Sequence, residues 1–389
     1  MHLLKQPVFE QECIKKACSL SPDSRQAAKD LFEGLNDTGA AAVIFFCSVE
    51  YDLNELSSAL SELFGETPII GCTTAGEISP AGYVQNSITG FSLPGKHFKI
   101  ETRLIRNLHK FSADKAQAVV KDMLDSLQQH AIAPLSQNSF AISLLDGMSI
   151  REEMVLNALS TTLDGIPLVG GSAGDNLHFR DTHVYYQNGF HSDAAVIMLV
   201  NTNCPFRTFS DHHLALDQEK LVVTSADPFK RIVHEFNAEP AAVEYCRIMG
   251  LSLDQLTPRI FALYPLAVQF GDQIFIRSIQ QLNDDLSLTF FCAIDQGIVL
   301  TKMYSMGLVS HTHNTLNAIS EAIGEPQLVI GYDCIHRRIE MEDYDLLEPI
   351  STLYKAHNVI GFSTYGEQHN ELHINHTFTG VALGQCPEE

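Results

Sequence analysis

The feature that most limits how this chain can fold is a motif carried twice, at opposite ends. Ile69-Ile70-Gly71-Cys72-Thr73-Thr74-Ala75-Gly76-Glu77 aligns without gaps on Val359-Ile360-Gly361-Phe362-Ser363-Thr364-Tyr365-Gly366-Glu367. Further on, Ile88-Thr89-Gly90-Phe91-Ser92-Leu93 matches Phe378-Thr379-Gly380-Val381-Ala382-Leu383, with Gly90 and Gly380 each nineteen residues beyond the first glycine of its copy. Agreement at both places marks an internal repeat, so the two ends should share one local fold.

Each copy closes a strand–helix–strand unit. Residues 41–47 are an apolar run of strand length, 53–64 has helical spacing at Leu53, Leu56, Leu60 and Leu63, and 68–71 is a second strand. The same order is predicted from 328–332, 343–354 and 359–361. A looser third copy runs from a strand at 140–145 through a helix at 152–163 to the turn Gly170-Gly171-Ser172-Ala173-Gly174-Asp175 and a strand at 194–200. The pattern predicts an α/β (α+β) chain of repeated βαβ-like units with mixed sheets. Residues 1–39 read as a helical lead-in, with Ser21-Pro22-Asp23 as the helix start. Between the second and third copies the chain turns β-rich. It has a hairpin at 184–190 with Asn188-Gly189 at the turn, strands at 221–224 and 231–236, β-rich stretches at 261–279 and 287–294, and one clear helix at 239–249. A domain change is expected near residue 225, dividing 40–225 from 226–389 without a linker to mark it.

The net charge of −22 on 389 residues disfavours phosphate backbones and anionic lipid headgroups, so neither nucleic acid nor a membrane is an expected partner. Met1-His2-Leu3-Leu4-Lys5-Gln6-Pro7 has no basic stretch leading into an apolar core, and the apolar runs at 40–49 and 194–200 are too short to span a bilayer. A soluble, cytoplasmic protein is expected. The nine cysteines are odd in number, form no Cys-x-x-Cys and often sit in apolar runs, which predicts reduced and mostly buried thiols. The lack of Cys-x-x-Cys-His excludes covalent c-type haem attachment.

The run from Gly170 to Gly174 matches the Gly-x-Ser-x-Gly elbow of serine hydrolases. That elbow needs a helix directly after the serine. Asp175-Asn176-Leu177-His178-Phe179-Arg180 leads to a hairpin instead, so Ser172 is better read as part of a structural turn, and no enzyme is expected. No Gly-x-Gly-x-x-Gly opens a helix, so no dinucleotide is implied. Glu77, Asp175 and Glu367 end the three turns, beside Gly71, Gly174 and Gly366. Such carboxylates either line a ligand cleft or bind N–H groups of their own turns, and the second role is favoured.

Among the 17 histidines, His369, His373 and His376 would share a helix face, yet they precede a strand and have no apolar stripe, so a zinc site is the lesser reading. His311 and His313 read as solvated first-turn residues, and His336 as strand-edge polar surface. His178, His183, His191, His212 and His213 lie in apolar strand or hairpin context. A neutral imidazole in an apolar wall suits the axial site of a b-type haem, and Arg180, Arg207 and Arg231 could meet its propionates. Buried histidines satisfied by the backbone are the commoner alternative.

In combination, the Gly71–Glu77 turn followed by Asn86-Ser87-Ile88-Thr89-Gly90, the Val169–Asp175 segment, Leu221-Val222-Val223-Thr224 with Pro240-Ala241-Ala242, and Asp333-Cys334 with the Phe362–Glu367 turn resemble the FIST proteins from about Ala40 onward. The resemblance implies an N-terminal FIST domain at 40–225 and a C-terminal one at 226–389, sensing a small ligand in bacterial signal transduction. With its many histidines and no attached output domain, the chain looks like the nitric-oxide-sensing haemoprotein branch called NosP. That branch implies haem b, nitric oxide as ligand, and a partner histidine kinase, with biofilm and cyclic-di-GMP control downstream. His213 is the expected axial ligand to the haem iron, with His183, His191 and His212 as substitutes. The alternative is a FIST sensor for an amino acid or other small polar ligand, held by the Gly-rich turns. A homo-oligomer is left open.

Overall fold

The computed structural model describes residues 14–36, 39–271 and 273–387. Its first unit runs β1 (Lys15–Ser19), α1 (Ser24–Leu35), β2 (Ala40–Ser48), α2 (Leu53–Phe64), β3 (Ile69–Thr74), the hairpin β4 (Glu77–Ser79) and β5 (Gly82–Val84), and β6 (Ile88–Pro94). The second runs β7 (Phe98–Arg106), α3 (Ala113–His130), the single turn α4 (Leu135–Asn138), β8 (Ser139–Leu145), α5 (Glu152–Leu163), β9 (Leu168–Ser172), the hairpin β10 (Val184–Tyr186) and β11 (Gly189–His191), and β12 (Ala194–Thr202). The third opens with β13 (Phe206–Asp211) and is interrupted by an insertion. That insertion comprises β14 (Leu214–Asp227), β15 (Ile232–Phe236), β16 (Glu239–Pro240), α6 (Ala241–Met249), α7 (Pro258–Leu263), β17 (Leu266–Phe270), β18 (Gln273–Arg277), β19 (Ile279–Leu282), β20 (Leu288–Phe290) and β21 (Val299–Ser305). The unit resumes with α8 (Leu308–Ile323), β22 (Leu328–Cys334), α9 (Ile335–Asp343), α10 (Leu347–Ala356), β23 (Val359–Thr364), the hairpin β24 (Glu367–His369) and β25 (Leu372–Ile374), and β26 (Phe378–Leu383).

The three units pair their strands identically. In each, two parallel strands lie side by side and a later strand returns antiparallel to the first. Gly71 faces Phe45 in the parallel ladder, Gly170 faces Ser143, and Gly361 faces Gly331, all at the same place in the register. A Cβ at any of these glycines would run into the carbonyl of the facing residue, which is why the motif begins with glycine.

The hairpins do not stay with their own units. β4–β5 of the first unit pairs with β23 of the third, β24–β25 of the third pairs with β9 of the second, and β10–β11 of the second pairs with β3 of the first. Each six-stranded sheet therefore ends on a borrowed hairpin, in a closed cyclic exchange. The edge of every parallel pair is covered by a neighbour, which ties the chain's two ends together.

Side-chain alternation explains the layers. Ile44 and Phe46 of β2 face a shared core with Ile142 and Leu144 of β8 and with Ile330 and Tyr332 of β22. The intervening Val43 and Phe45 face α1 and α2, Ala141 and Leu145 face α3 and α5, and Val329 faces α8 and α10. These strands are apolar throughout because both faces are buried. The insertion has its own core, including Leu221, Val223, Phe236, Tyr245, Phe261 and Leu300.

Some expectations need correction. The lead-in is helical only from Ser24, since Lys15–Ser19 pairs with β6 as an edge strand; residues 1–13 lie outside the described residues. The stretch 343–354 is the end of α9 and most of α10, with a break at 344–346, and 261–279 opens on α7. The expectation of reduced thiols fails for Cys204 and Cys386, which form a disulfide across 182 residues.

Candidate functional site

The turn carboxylates serve their own turns. Glu77 accepts from Thr74 Oγ1 and from the N–H and Oγ of Ser87; Glu367 repeats this with Thr364 and with the N–H and Oγ1 of Thr377. Burial pushes both carboxyls up to about 7, against the opposing effect of these hydrogen bonds. Asp175 accepts the N–H groups of Phe179, Arg180 and Asp181 and the hydroxyl of Tyr365. Ser172 is fully buried, receives Gln368 Nε2 at 3.4 Å, and is followed by loop rather than helix.

Three settings hold the histidines of the third unit that lie nearest the core. His213 is wholly buried, with Nε2 2.7 Å from Glu340 Oε2 and Nδ1 3.1 Å from Arg337 Nη1. Arg337 has no acceptor capacity, so Nδ1 accepts and Nε2–H donates to the carboxylate: the ring is neutral and both nitrogens are occupied. Burial holds His213 below its usual value, with Arg337 acting in the same direction against Glu340. Arg337 continues to Asp333 Oδ1 at 2.5 Å and Thr312 Oγ1 at 3.0 Å, and Tyr83 and Tyr354 both donate to Asp333 Oδ2.

Behind this network His336 stacks on His376, with ring centroids 4.6 Å apart and planes 8° apart. His336 is not strand-edge surface: it lies in the first turn of α9, 3% exposed, between His376 and Phe291. Burial drives its pKa down to about 3 and lowers that of His376 strongly, so the pair packs as two neutral rings. Both ring nitrogens of His376, both amide atoms of Asn375 and Nε2 of His373 are buried with no hydrogen-bond partner among the described residues, while Nδ1 of His373 lies 3.8 Å from Glu153 Oε1. Such orphans are rare in folded proteins and gather here within one four-residue stretch.

Beside Asn375 opens a cleft of about 230 Å³ between the core and the insertion. Its walls include Ile274, Phe275, Ile276, Leu372 and Ile374, and two histidines, His212 and His369, face it. Burial keeps both imidazoles below their usual value. His212 Nδ1 accepts the N–H of Leu214 at 3.3 Å.

The remaining expected residues lie elsewhere. His183 is half-buried against Phe190, with Nε2 3.4 Å from Asp181; His191 meets Arg106; His178, Arg180 and Arg207 are exposed. Arg231 is buried on Glu152 and Glu153 at 2.7 and 2.5 Å. His311 reaches the carbonyl of His212 at 3.0 Å, and His313 is exposed. The hairpin geometry of β24–β25 rules out one helix face for His369, His373 and His376.

A second, more polar cleft of about 580 Å³ opens where the three units meet. Tyr51, Glu50, Asn86 and Asn176 line it opposite Arg338 and Glu342 of α9. Arg338 donates to the carbonyl of Ala75 and to Glu342, and its guanidinium lies against Gly76, where φ is +122° and a Cβ would strike Nη1. The glycine of the repeated motif is thus the seat of an arginine from another unit.

Models of the FIST N domain and the FIST C domain match residues 41–239 and 241–370. The chain belongs to the FIST family. FIST domains are sensor domains of signal transduction, not known catalysts. No curated protein matches the chain. The two FIST models meet at residue 240, and residue 225 lies inside β14. Because of the hairpin exchange, each FIST half holds strands that complete a sheet of the other. Sequence reading missed α9 of this FIST chain, which supplies His336, Arg337, Arg338 and Glu340. The signal was the spacing of Arg338 and Glu342, an i,i+4 pair whose two charges meet only on a helix. Among the described residues no helix is long and apolar enough to cross a membrane.

Proposed function

We propose that this FIST protein is a haem-based nitric oxide sensor that regulates a partner histidine kinase, as its resemblance to the NosP branch implies. The observation that supports it is the cleft with an apolar wall of Ile274, Phe275, Ile276, Leu372 and Ile374 and a polar side of Ser210, Asp211 and Thr377, faced by the two neutral imidazoles of His212 and His369 over the orphaned Asn375. This donor set fits a b-type haem better than His213 does, because both nitrogens of His213 are already bonded. Ferrous haem, when bound, supplies the iron on which nitric oxide is captured. The residues' own part is to exclude water and to offer an imidazole. A cleft of about 230 Å³ is smaller than a porphyrin, so β17–β18 has to part from β25 to admit one. That movement would shift the insertion against the core and so carry the signal to a protein surface.

Titration of the full chain with hemin, followed by its Soret band, tests this. The wild-type protein and His213→Ala should take up hemin, whereas His369→Ala or His212→Ala should lose affinity or change the spin state. No uptake by the wild type sinks the haem reading. A second reading, a sensor for a small zwitterion such as an amino acid, is favoured by charges of both signs facing one cleft, Arg338 against Glu50 and Glu342. Calorimetry with an amino-acid panel, with Arg338→Ala as the control, addresses it directly.

A further inference from the structure

Three segments far apart in sequence converge at the junction of the second and third units. They are the turn before β7, the turn between β12 and β13, and the tail after β26. They bring together His97, Cys204 and Cys386, with a ring nitrogen and both sulfurs all within 4.8 Å of one another. His97 and Cys204 are buried and Cys386 is half-buried. The other described cysteines, Cys18, Cys47, Cys72, Cys246, Cys292 and Cys334, are free thiols.

We propose that Cys204, Cys386 and His97 form a zinc site in the reduced protein, and that the disulfide is its metal-free, oxidised form. Two thiolates and an imidazole are a soft N/S donor set of the kind zinc selects, with one position left open. The site is held in place by more than the disulfide. Gly384 N donates to the carbonyl of Pro205 at 2.8 Å and Gln327 Nε2 to the carbonyl of Gly384 at 3.0 Å, so the tail stays beside Cys204 when the sulfurs part. Thr202 Oγ1 donates to the carbonyl of His97 at 2.9 Å. Asn203 Oδ1 lies 3.0 Å from His97 Nδ1, which fixes the proton there and leaves Nε2 as the basic nitrogen. The second cluster of candidate metal ligands among the described residues, Glu152, Glu153 and His373, already holds a cation, the Arg231 guanidinium.

The chemistry balances with a dithiol as reductant. Its two thiols are oxidised to a disulfide while two electrons and two protons pass to Cys204 and Cys386. Zinc then binds the two sulfurs and His97 and displaces those two protons to solvent. The full chain, purified with a dithiol and zinc and without added haem, should carry about one zinc per chain by elemental analysis. The double variant Cys204→Ser/Cys386→Ser should carry none above background. A second measurement needs no variant: in reduced wild-type protein, zinc should slow alkylation of Cys204 and Cys386 by iodoacetamide at least tenfold, and a chelator should restore the rate. Equal alkylation with and without zinc, or zinc retained by the double variant, overturns the proposal.

Discussion

Replacing His213 with alanine separates a structural strut from a metal ligand. The imidazole bridges a carboxylate and a guanidinium inside the protein, 2.7 Å from Glu340 and 3.1 Å from Arg337. After truncation Glu340 keeps Ser305 Oγ at 2.9 Å, and Arg337 keeps Asp333 and Thr312, so neither charge is abandoned. What is lost is two hydrogen bonds to charged groups, worth about 1.5–3 kcal/mol each, so a destabilisation of about 3–6 kcal/mol follows. Against a typical stability of about 5–15 kcal/mol that is a large fraction. At about 2 cal/mol/K of unfolding entropy per residue, 4 kcal/mol lowers the melting temperature of a cooperative chain of 389 residues by about 5 °C. The chain has no tryptophan, so urea unfolding is followed by far-UV circular dichroism and tyrosine fluorescence. His213→Gln, which keeps a donor and an acceptor, should recover part of the loss. A His213→Ala protein within 1 kcal/mol of wild type that no longer binds hemin would refute the reasoning and restore His213 as the axial ligand.

Three further outcomes are expected. Glu77→Gln should have a pH-dependent effect. A folded pKa of about 7 against an ordinary 4.5 means that the native state gains from the protonated carboxyl at low pH and loses that gain as pH rises through 7. The variant should therefore improve relative to wild type by up to about 3 kcal/mol between pH 4.5 and 8, read from urea midpoints, and a flat difference would contradict it. Gly361→Ala should cost about 3 kcal/mol or more, because its Cβ would strike the Gly331 carbonyl, whereas Gly189→Ala, whose nearest neighbour is His191 at 3.5 Å, should cost under about 1 kcal/mol by the same measurement. A fragment ending at residue 239 should fail to fold alone, since β9 loses the β24–β25 hairpin and β4–β5 loses β23; a monomeric fragment with cooperative unfolding would show that the exchange is dispensable.

The sequence by itself determined the units. Apolar runs such as 41–47, helical spacing at Leu53, Leu56, Leu60 and Leu63, and glycines at 71, 170 and 361 are local properties, set by alternation and by backbone approach within one unit. The favoured role of Glu77, Asp175 and Glu367 was legible for the same reason, since their partners lie within about ten residues or on the neighbouring turn. Only the tertiary structure decided which edge each hairpin covers. The open edges of β3, β9 and β23 offer the same hydrogen-bonding groups, and pairing depends on where three units sit around a common core. It also decided the histidines: apolar neighbours in sequence do not reveal that Glu340 and Arg337, more than a hundred residues away, occupy both nitrogens of His213, while His369 faces a cleft. Burial of a charge is affordable only where its counter-charge arrives from another element, so the partners of these side chains could be read only once those elements had met.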